Sequence, residues 1–291
     1  MLLLTGATGL VGSALLPRLT AAGLAVRCLV RDPRGLGPDR VRVQIALGDL
    51  ADPPSFRNAL RGVTTVVHLA AAIRDQPRGS IEELNGIATW RMVQAAERAG
   101  VQRFVFFSAL SASTHDRTRF LRAKALAEEA VAASSLDHVV FAPSIVYARG
   151  DVFMTLLARM ALLPVLPISG RGQAAYQPIW AHDVAACVLA LLQGGGDGRR
   201  RYELAGPETL TYDDIATLLL EAAGRPRPLV HVPTAVVSRT LRAAEALLKS
   251  KAPATWDEAE LMEVSMTTPR GTADARALGV EPRAMADALR A

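Results

Sequence analysis

Three glycines near the start of the chain have the spacing and the neighbours to hold a phosphate. Met1–Thr5 reads as a short apolar strand, and Gly6-Ala7-Thr8-Gly9-Leu10-Val11-Gly12 follows at once. Ser13–Ala22 then continues as an apolar-faced helix. Strand, glycine turn and helix together seat a dinucleotide pyrophosphate. Glycine lets backbone approach phosphate oxygens, and a helix N-terminus presents unpaired N–H groups and a partial positive charge. The spacing is G-x-x-G-x-x-G rather than the G-x-G-x-x-G of the general dinucleotide fingerprint.

The next strand, Ala25–Val30, ends in Arg31-Asp32. An acidic residue at this place holds the ribose 2′-hydroxyl of NAD, whereas an arginine meets the 2′-phosphate of NADP. Arg31 comes first and Arg34 follows, and a guanidinium suits phosphate by charge and by fork geometry. The reading favours NADP over NAD, with Asp32 as the argument for NAD. Val41–Leu47 alternates as a third strand ending in Gly48-Asp49-Leu50, with a helix near Pro54–Arg61. Thr65–Leu69 is a buried fourth strand running into Ala70-Ala71-Ala72, small enough for a cofactor to lie against the backbone.

Thr5-Gly6-Ala7-Thr8-Gly9, with this spacing, resembles the extended and atypical branches of the short-chain dehydrogenase/reductase superfamily. His68-Leu69-Ala70-Ala71 is similar to its H-x-A-A turn, and Pro143-Ser144-Ile145-Val146-Tyr147 to the segment that passes the nicotinamide. The resemblance implies that Asp49 and Leu50 meet the adenine, and that Leu69, Ala70, Ala71, Pro143 and Ile145 line the cofactor. His68 itself reads as strand-end packing, and Asn85 matches an asparagine common in the helix opened by the Ser80–Glu83 capping box.

The resemblance also implies a reaction centre, and there the chain departs from it. Active members carry Y-x-x-x-K on one helix face, with a serine at the end of the fifth strand. The tyrosine passes the proton, the lysine lowers its pKa and anchors the ribose, and the serine polarises a carbonyl. Ser108 follows the strand Arg103–Phe107 and matches the serine, and Lys124 matches the lysine. Phe120 stands where the tyrosine should be. Phenylalanine has no proton to give, so ordinary reductase turnover is expected to be weak or absent while ribose anchoring survives. Tyr147, Tyr176 and His115 are alternative acids without spacing support, and Lys124 itself is another.

The wording from Ser108 to Glu129 is similar to atypical members related to the NAD(P)H-binding accessory subunit of respiratory complex I. That likeness implies tight cofactor binding without assigned catalysis. It leaves open a nucleotide-sugar-epimerase-like enzyme, and also a respiratory or quinone-linked assembly role.

The elements that position these residues alternate strand and helix, the pattern of a Rossmann-type, doubly wound parallel α/β sheet. Residues 1–146 with about 178–205 are assigned to the dinucleotide-binding domain. About 147–177 and 206–291 are assigned to a small capping lobe beside an unidentified small-molecule substrate. Asp183 is expected to cap the helix that follows it. A basic amphipathic helix near Ala235–Lys249 leaves open a peripheral membrane or partner contact, and two exposed helices leave open a homodimer.

With 291 residues, half of them hydrophobic, the chain suffices for such a core. Its net charge of +5 comes from scattered arginines without a like-charge run, so no nucleic-acid tail is expected. Cys28 and Cys187 lack metal-ligand spacing, which predicts buried reduced thiols and no metal site. With no leader-like or spanning apolar segment, the reading places the protein in the cytoplasm.

Overall fold

The computed structural model describes residues 1–248 and 254–290. The chain begins β1 (Leu2–Thr5), α1 (Leu10–Ala21), β2 (Val26–Val30), β3 (Gln44–Leu47), α2 (Pro53–Phe56) and β4 (Thr65–His68). It continues α3 (Ala88–Arg98), β5 (Arg103–Phe107), α4 (Arg119–Ala132), β6 (Asp137–Pro143) and β7 (Val146–Tyr147). Then come α5 (Val152–Met160), β8 (Leu166–Ser169), β9 (Ala175–Tyr176), β10 (Ile179–Trp180), α6 (Ala181–Leu192) and β11 (Arg201–Leu204). The last elements are β12 (Leu210–Thr211), α7 (Tyr212–Ala222), β13 (Leu229–Val232), α8 (Thr234–Leu248), α9 (Trp256–Leu261), α10 (Ala273–Ala277) and α11 (Met285–Arg290).

Seven strands form one parallel sheet in the order β11-β6-β5-β4-β1-β2-β3. Alternation along each strand sends neighbours to opposite faces. Leu2 and Leu4 pack with Leu15, Leu19, Val184 and Val188 of α1 and α6. Leu3, between them, packs with Phe56, Met92, Val93 and Val131 on the other face. Strand order reverses between β1 and β4, and in such sheets ligands bind at that switch point, outside the strands' carboxyl ends.

The third strand is shorter than its alternation suggests. Residues 33–42 instead coil as a 3₁₀ segment opened by Pro33 and broken at Gly37 (φ +56°), and Val41 is 81% exposed. As the sheet edge, β3 has a partner on one side only, and its side chains are largely exposed. Alternation alone therefore had little burial to enforce it.

The lobe is built from the two-stranded pairs β7–β10, β9–β12 and β8–β13 with α5, α7, α9 and α11. Its core joins Leu157, Leu166, Ile168, Tyr176, Ile215, Leu219, Leu261 and Met285. The capping boxes at Ser80–Glu83, Thr211–Asp214 and Thr255–Glu258 are all formed. Asp183 is not the cap of α6, however. The helix starts earlier, with Trp180 as N-cap, and the inward-turned Asp183 carboxylate accepts the Arg283 N–H at 2.9 Å.

The C-terminal stretch is not confined to the lobe. Ala275 and Leu278 pack in the main core, and Asp274, 1% exposed, accepts the Glu203 N–H of β11 at 2.8 Å. The same carboxylate pairs with Arg199 and Arg270. Removing one side of a buried charge cluster strands the others. Asp274→Ala is therefore expected to cost ~3 kcal/mol in urea unfolding; a change within experimental error would show that this tie does not hold the chain end.

Candidate functional site

Because the sheet is parallel, Thr5, His68, Phe107 and Pro143 all end their strands at the same edge. Everything that follows them in sequence converges there. The glycine turn is shaped first by the protein's own close approaches. Gly6 has φ +71°, and a Cβ on it would lie 2.7 Å from the Ala70 N. A Cβ on Gly12 would lie 2.1 Å from the Gly6 carbonyl oxygen. Only glycine at 6 and 12 lets the β1 turn, the β4 turn and α1 meet. Gly9 is freer, with just the Gly6 oxygen near at 3.2 Å. It is the N-cap of α1 and has no side chain to satisfy the helix, so the first-turn N–H groups of Leu10, Val11 and Gly12 keep their donor capacity. No acidic residue occupies that turn. This cradle fits a pyrophosphate.

The wall beside it is rigidly held. Asn85, buried, accepts the Ala72 N–H at 3.1 Å and donates to the carbonyls of Ala72 and Ile81, each at 2.7 Å. It sits in a π-helical turn, Glu83–Ile87, that widens the start of the helix. This pins the loop carrying Leu69, Ala70 and Ala71. His68 is wholly buried, bridging the hydroxyls of Thr5 at 2.9 Å and Thr89 at 3.2 Å. Burial, helped by the nearby Lys124 charge, pushes it down to about 3, so it is neutral packing.

Just after β3, Asp49 accepts the Ala51 N–H at 3.0 Å and pairs with Arg78 at 3.0 Å. Burial opposes its ionisation, but the Ala51 N–H, Arg78 and Arg31 together hold the carboxyl below the ordinary value. Leu50 follows it, half-buried. Asp32 accepts the Arg34 backbone N–H at 2.9 Å and its guanidinium at 2.8 to 3.1 Å, so these two charges answer each other. Arg31 is exposed and gives one bond, at 3.0 Å, to the neutral Gln76 side chain.

At the end of β5, Ser108 is buried and its hydroxyl has no partner among the described residues. Lys124 is 2% exposed, and its Nζ donates to the Phe107 carbonyl at 2.6 Å. The ring centroids of Phe106 and Phe120 stand 5.0 and 5.8 Å from that nitrogen. Burial pulls the ammonium down to about 7, against the opposing pull of Glu128 one turn further on. An ammonium has three donors, and one of them is used in this described bond. Pro143 and Ile145 flank the end of β6.

The alternative acids separate clearly. Tyr176 donates its hydroxyl to the Met262 carbonyl at 2.7 Å and belongs to the lobe core. His115 lies in an exposed loop against Thr114. Tyr147 is buried, and its hydroxyl has no partner. It shares a small apolar cavity with Ile145, Val146, Met154, Pro178, Ile215, Leu219 and Met285. Burial raises its pKa, so it is a better hydrogen-bond donor than proton source.

No local spacing points to Arg119 as a site residue. This residue precedes Phe120 and binds Glu82, Asp75 and Asp257, which lie 37, 44 and 138 residues away. It ties the reaction helix to the β4 loop and the lobe. Cys28 and Cys187 are buried free thiols, each pushed up to about 12 by burial first, and so unreactive.

A parallel sheet with a glycine cradle at its switch point defines a Rossmann-type dinucleotide-binding protein. The sequence matches the family profile described as NAD(P)H-binding over residues 6–193, and the chain belongs to that family, as an atypical short-chain dehydrogenase/reductase. It is 31% identical to "Sterol demethylase protein B" of Methylococcus capsulatus, over 79% of this chain and 77% of that one. It is 28% identical to the mitochondrial NADH dehydrogenase [ubiquinone] 1 alpha subcomplex subunit 9 of Arabidopsis thaliana, over 74% of this chain but 56% of that protein's length. The fold superimposes on a nucleoside-diphosphate-sugar epimerase from Staphylococcus aureus with a TM-score of 0.77, at 18% identity, covering 100% and 99% of the two chains.

The buried ammonium has a consequence for stability. Folded, Lys124 releases its proton near 7, whereas its ordinary value is 10.5. Between those values the unfolded chain binds more protons, so stability rises with pH across that window. Lys124→Met is expected to flatten this rise, which is at most about 1.4 kcal/mol per pH unit. Urea midpoints at several pH values compare the slopes; identical slopes in the two proteins would contradict a depressed lysine.

Proposed function

We propose that this protein binds NADP(H) in preference to NAD(H), and that it performs conventional carbonyl reduction slowly or not at all. The observation that carries the reading is Phe120 beside Lys124. A cofactor bound here would supply or accept hydride. The chain's own contribution is then a serine hydroxyl free to polarise a carbonyl and an amine that anchors ribose. No phenol completes the proton transfer, a step ordinarily worth ~10²–10⁴-fold. Lys124, half protonated near neutrality, is the protonatable group in the place of that phenol. Relatives named as reductases, such as the NAD(P)H azoreductase of Xenophilus azovorans, support a redox role for the scaffold. The complex I subunits among its relatives support cofactor binding in an assembly.

Preference for NADP rests on Arg31. With Asp32 occupied by Arg34, Arg31 is the cation at the end of β2 whose described hydrogen bond goes to a neutral side chain, with the Asp49 carboxylate nearby. A charge-assisted bond to phosphate is worth ~1.5–3 kcal/mol, or roughly ten- to a hundredfold in affinity. Arg31→Ala should weaken NADPH binding by about that factor and leave NADH nearly unchanged by calorimetry. Equal loss for both would overturn the assignment.

For the reaction, Phe120→Tyr restores a hydroxyl one helical turn before Lys124. With NADPH and a panel of aldehydes and ketones, this variant should turn over ~10²-fold faster than wild type. Wild-type turnover as fast as the variant's would show that another acid serves.

A second reading is favoured by Tyr147. Its buried hydroxyl has no partner among the described residues, and its side chain lines an apolar cavity, a pairing that suits a substrate with one polar group on a lipophilic body. "Ceramide reductase" of Caulobacter vibrioides, 29% identical over 64% of this chain, is a relative whose name fits that class. In this reading the protein is a working reductase or epimerase-like enzyme with a non-standard acid.

A further inference from the structure

The lobe presents a face that neither the cofactor cradle nor the reaction centre uses. Along β8, Leu166 and Ile168 turn into the lobe core, so Pro167 points outward, as does Val165 just before the strand. Pro167 pairs in register with Val230 of β13, which is 44% exposed. Leu162 and Leu163, in the turn before β8, are 69% and 49% exposed. The Arg227 guanidinium reaches back to the Leu163 carbonyl at 3.0 Å, so this turn and the start of β13 lie side by side. Val236, 51% exposed, follows β13 in the first turn of α8. The result is a continuous apolar ridge of aliphatic side chains without an aromatic ring.

The stretches that build it are rich in arginine. Residues 152–171 hold Arg159 and Arg171, and residues 222–244 hold Arg225, Arg227, Arg239 and Arg242. Neither stretch contains an aspartate or a glutamate. Six arginines thus flank the ridge in sequence, while the carboxylates that reach its elements are engaged, Asp213 with His231 of β13 and Glu263 with Thr234. Arg242 is partly engaged, with its guanidinium 4.3 Å from the Trp256 ring centroid. The basic contact expected from the α8 helix alone therefore shifts to this face, with Arg239 at its margin; Lys249 lies outside the described residues.

We propose that this face docks on the surface of an anionic lipid bilayer. Aliphatic side chains enter the acyl boundary while arginines meet phosphate headgroups, the combination that holds peripheral proteins. No helix among the described residues is long and apolar enough to cross a membrane, so the contact is interfacial. A nucleic acid would want rings for stacking, which the ridge lacks. A folded protein partner would need to answer six guanidinium groups with a matching acidic surface, whereas a headgroup layer offers negative charge everywhere. The proposal does not depend on the cofactor reading.

The test is sedimentation of the whole protein with phosphatidylcholine vesicles, with and without phosphatidylglycerol, at low and high salt. Binding should require the anionic lipid and fall at least about tenfold at high salt. The double variant Leu163→Glu, Val230→Glu should lose binding about tenfold or more, and Arg225→Gln with Arg227→Gln should lose the preference for anionic lipid. Leu126→Glu, on α4 away from this face, should bind like wild type. Circular dichroism checks that each variant is folded, and NADPH titration reports the cradle separately. Absence of binding to either vesicle, or binding undiminished by the ridge variants, would overturn the proposal. Binding to soluble poly-glutamate as tight as to vesicles would overturn it in favour of an acidic protein.

Discussion

The site depends on one crowded point, where the Gly6 carbonyl, the start of α1 and the backbone of Leu69–Ala70 come within contact of each other. Any side chain at 6 or 12 would push these elements apart. The crowding fixes where α1 begins relative to β1 and β4, and hence where its free N–H groups aim. The cradle for a phosphate is thus a by-product of close packing at the strand switch point. Gly9, which the packing leaves freer, is the glycine whose bare backbone faces outward.

A second constraint is the burial of Lys124. Its ammonium is sealed under two phenylalanine rings with one carbonyl as described partner, in a place where water cannot solvate the charge. That sets its proton affinity near neutrality and makes it the one responsive group beside an otherwise inert ring. Ser108 completes the contrast as a buried hydroxyl without a partner. A polar group kept unsatisfied costs stability, so a ligand that satisfies it gains by entering. In the proposed reading Phe120 is an aromatic plug where a proton donor would stand.

Much of this was legible in the sequence because it rests on local chemistry. The glycine turn and the Ser80–Glu83 capping box depend on neighbours within a few residues. So does the match of Ser108, Phe120 and Lys124 to a strand end and one helix face. The β3 edge was less legible, since Val41–Leu47 alternates although little is buried there to enforce pairing. Asp183 read as a cap because an aspartate early in a helix usually is one. Its real partner, the Arg283 N–H, lies 100 residues on. Arg119 was invisible for the same reason.

The sequence by itself determined the fold class and the family, since each is written in residue type and short-range spacing. The tertiary structure alone decided which charges are spent on each other and which remain. It set Arg31 against Gln76, 45 residues on, and closed Tyr176 into the lobe core against Met262. It also gathered an apolar ridge and arginines from two distant stretches onto one face. Such choices depend on burial and on contacts across long sequence separations, and no local pattern encodes them.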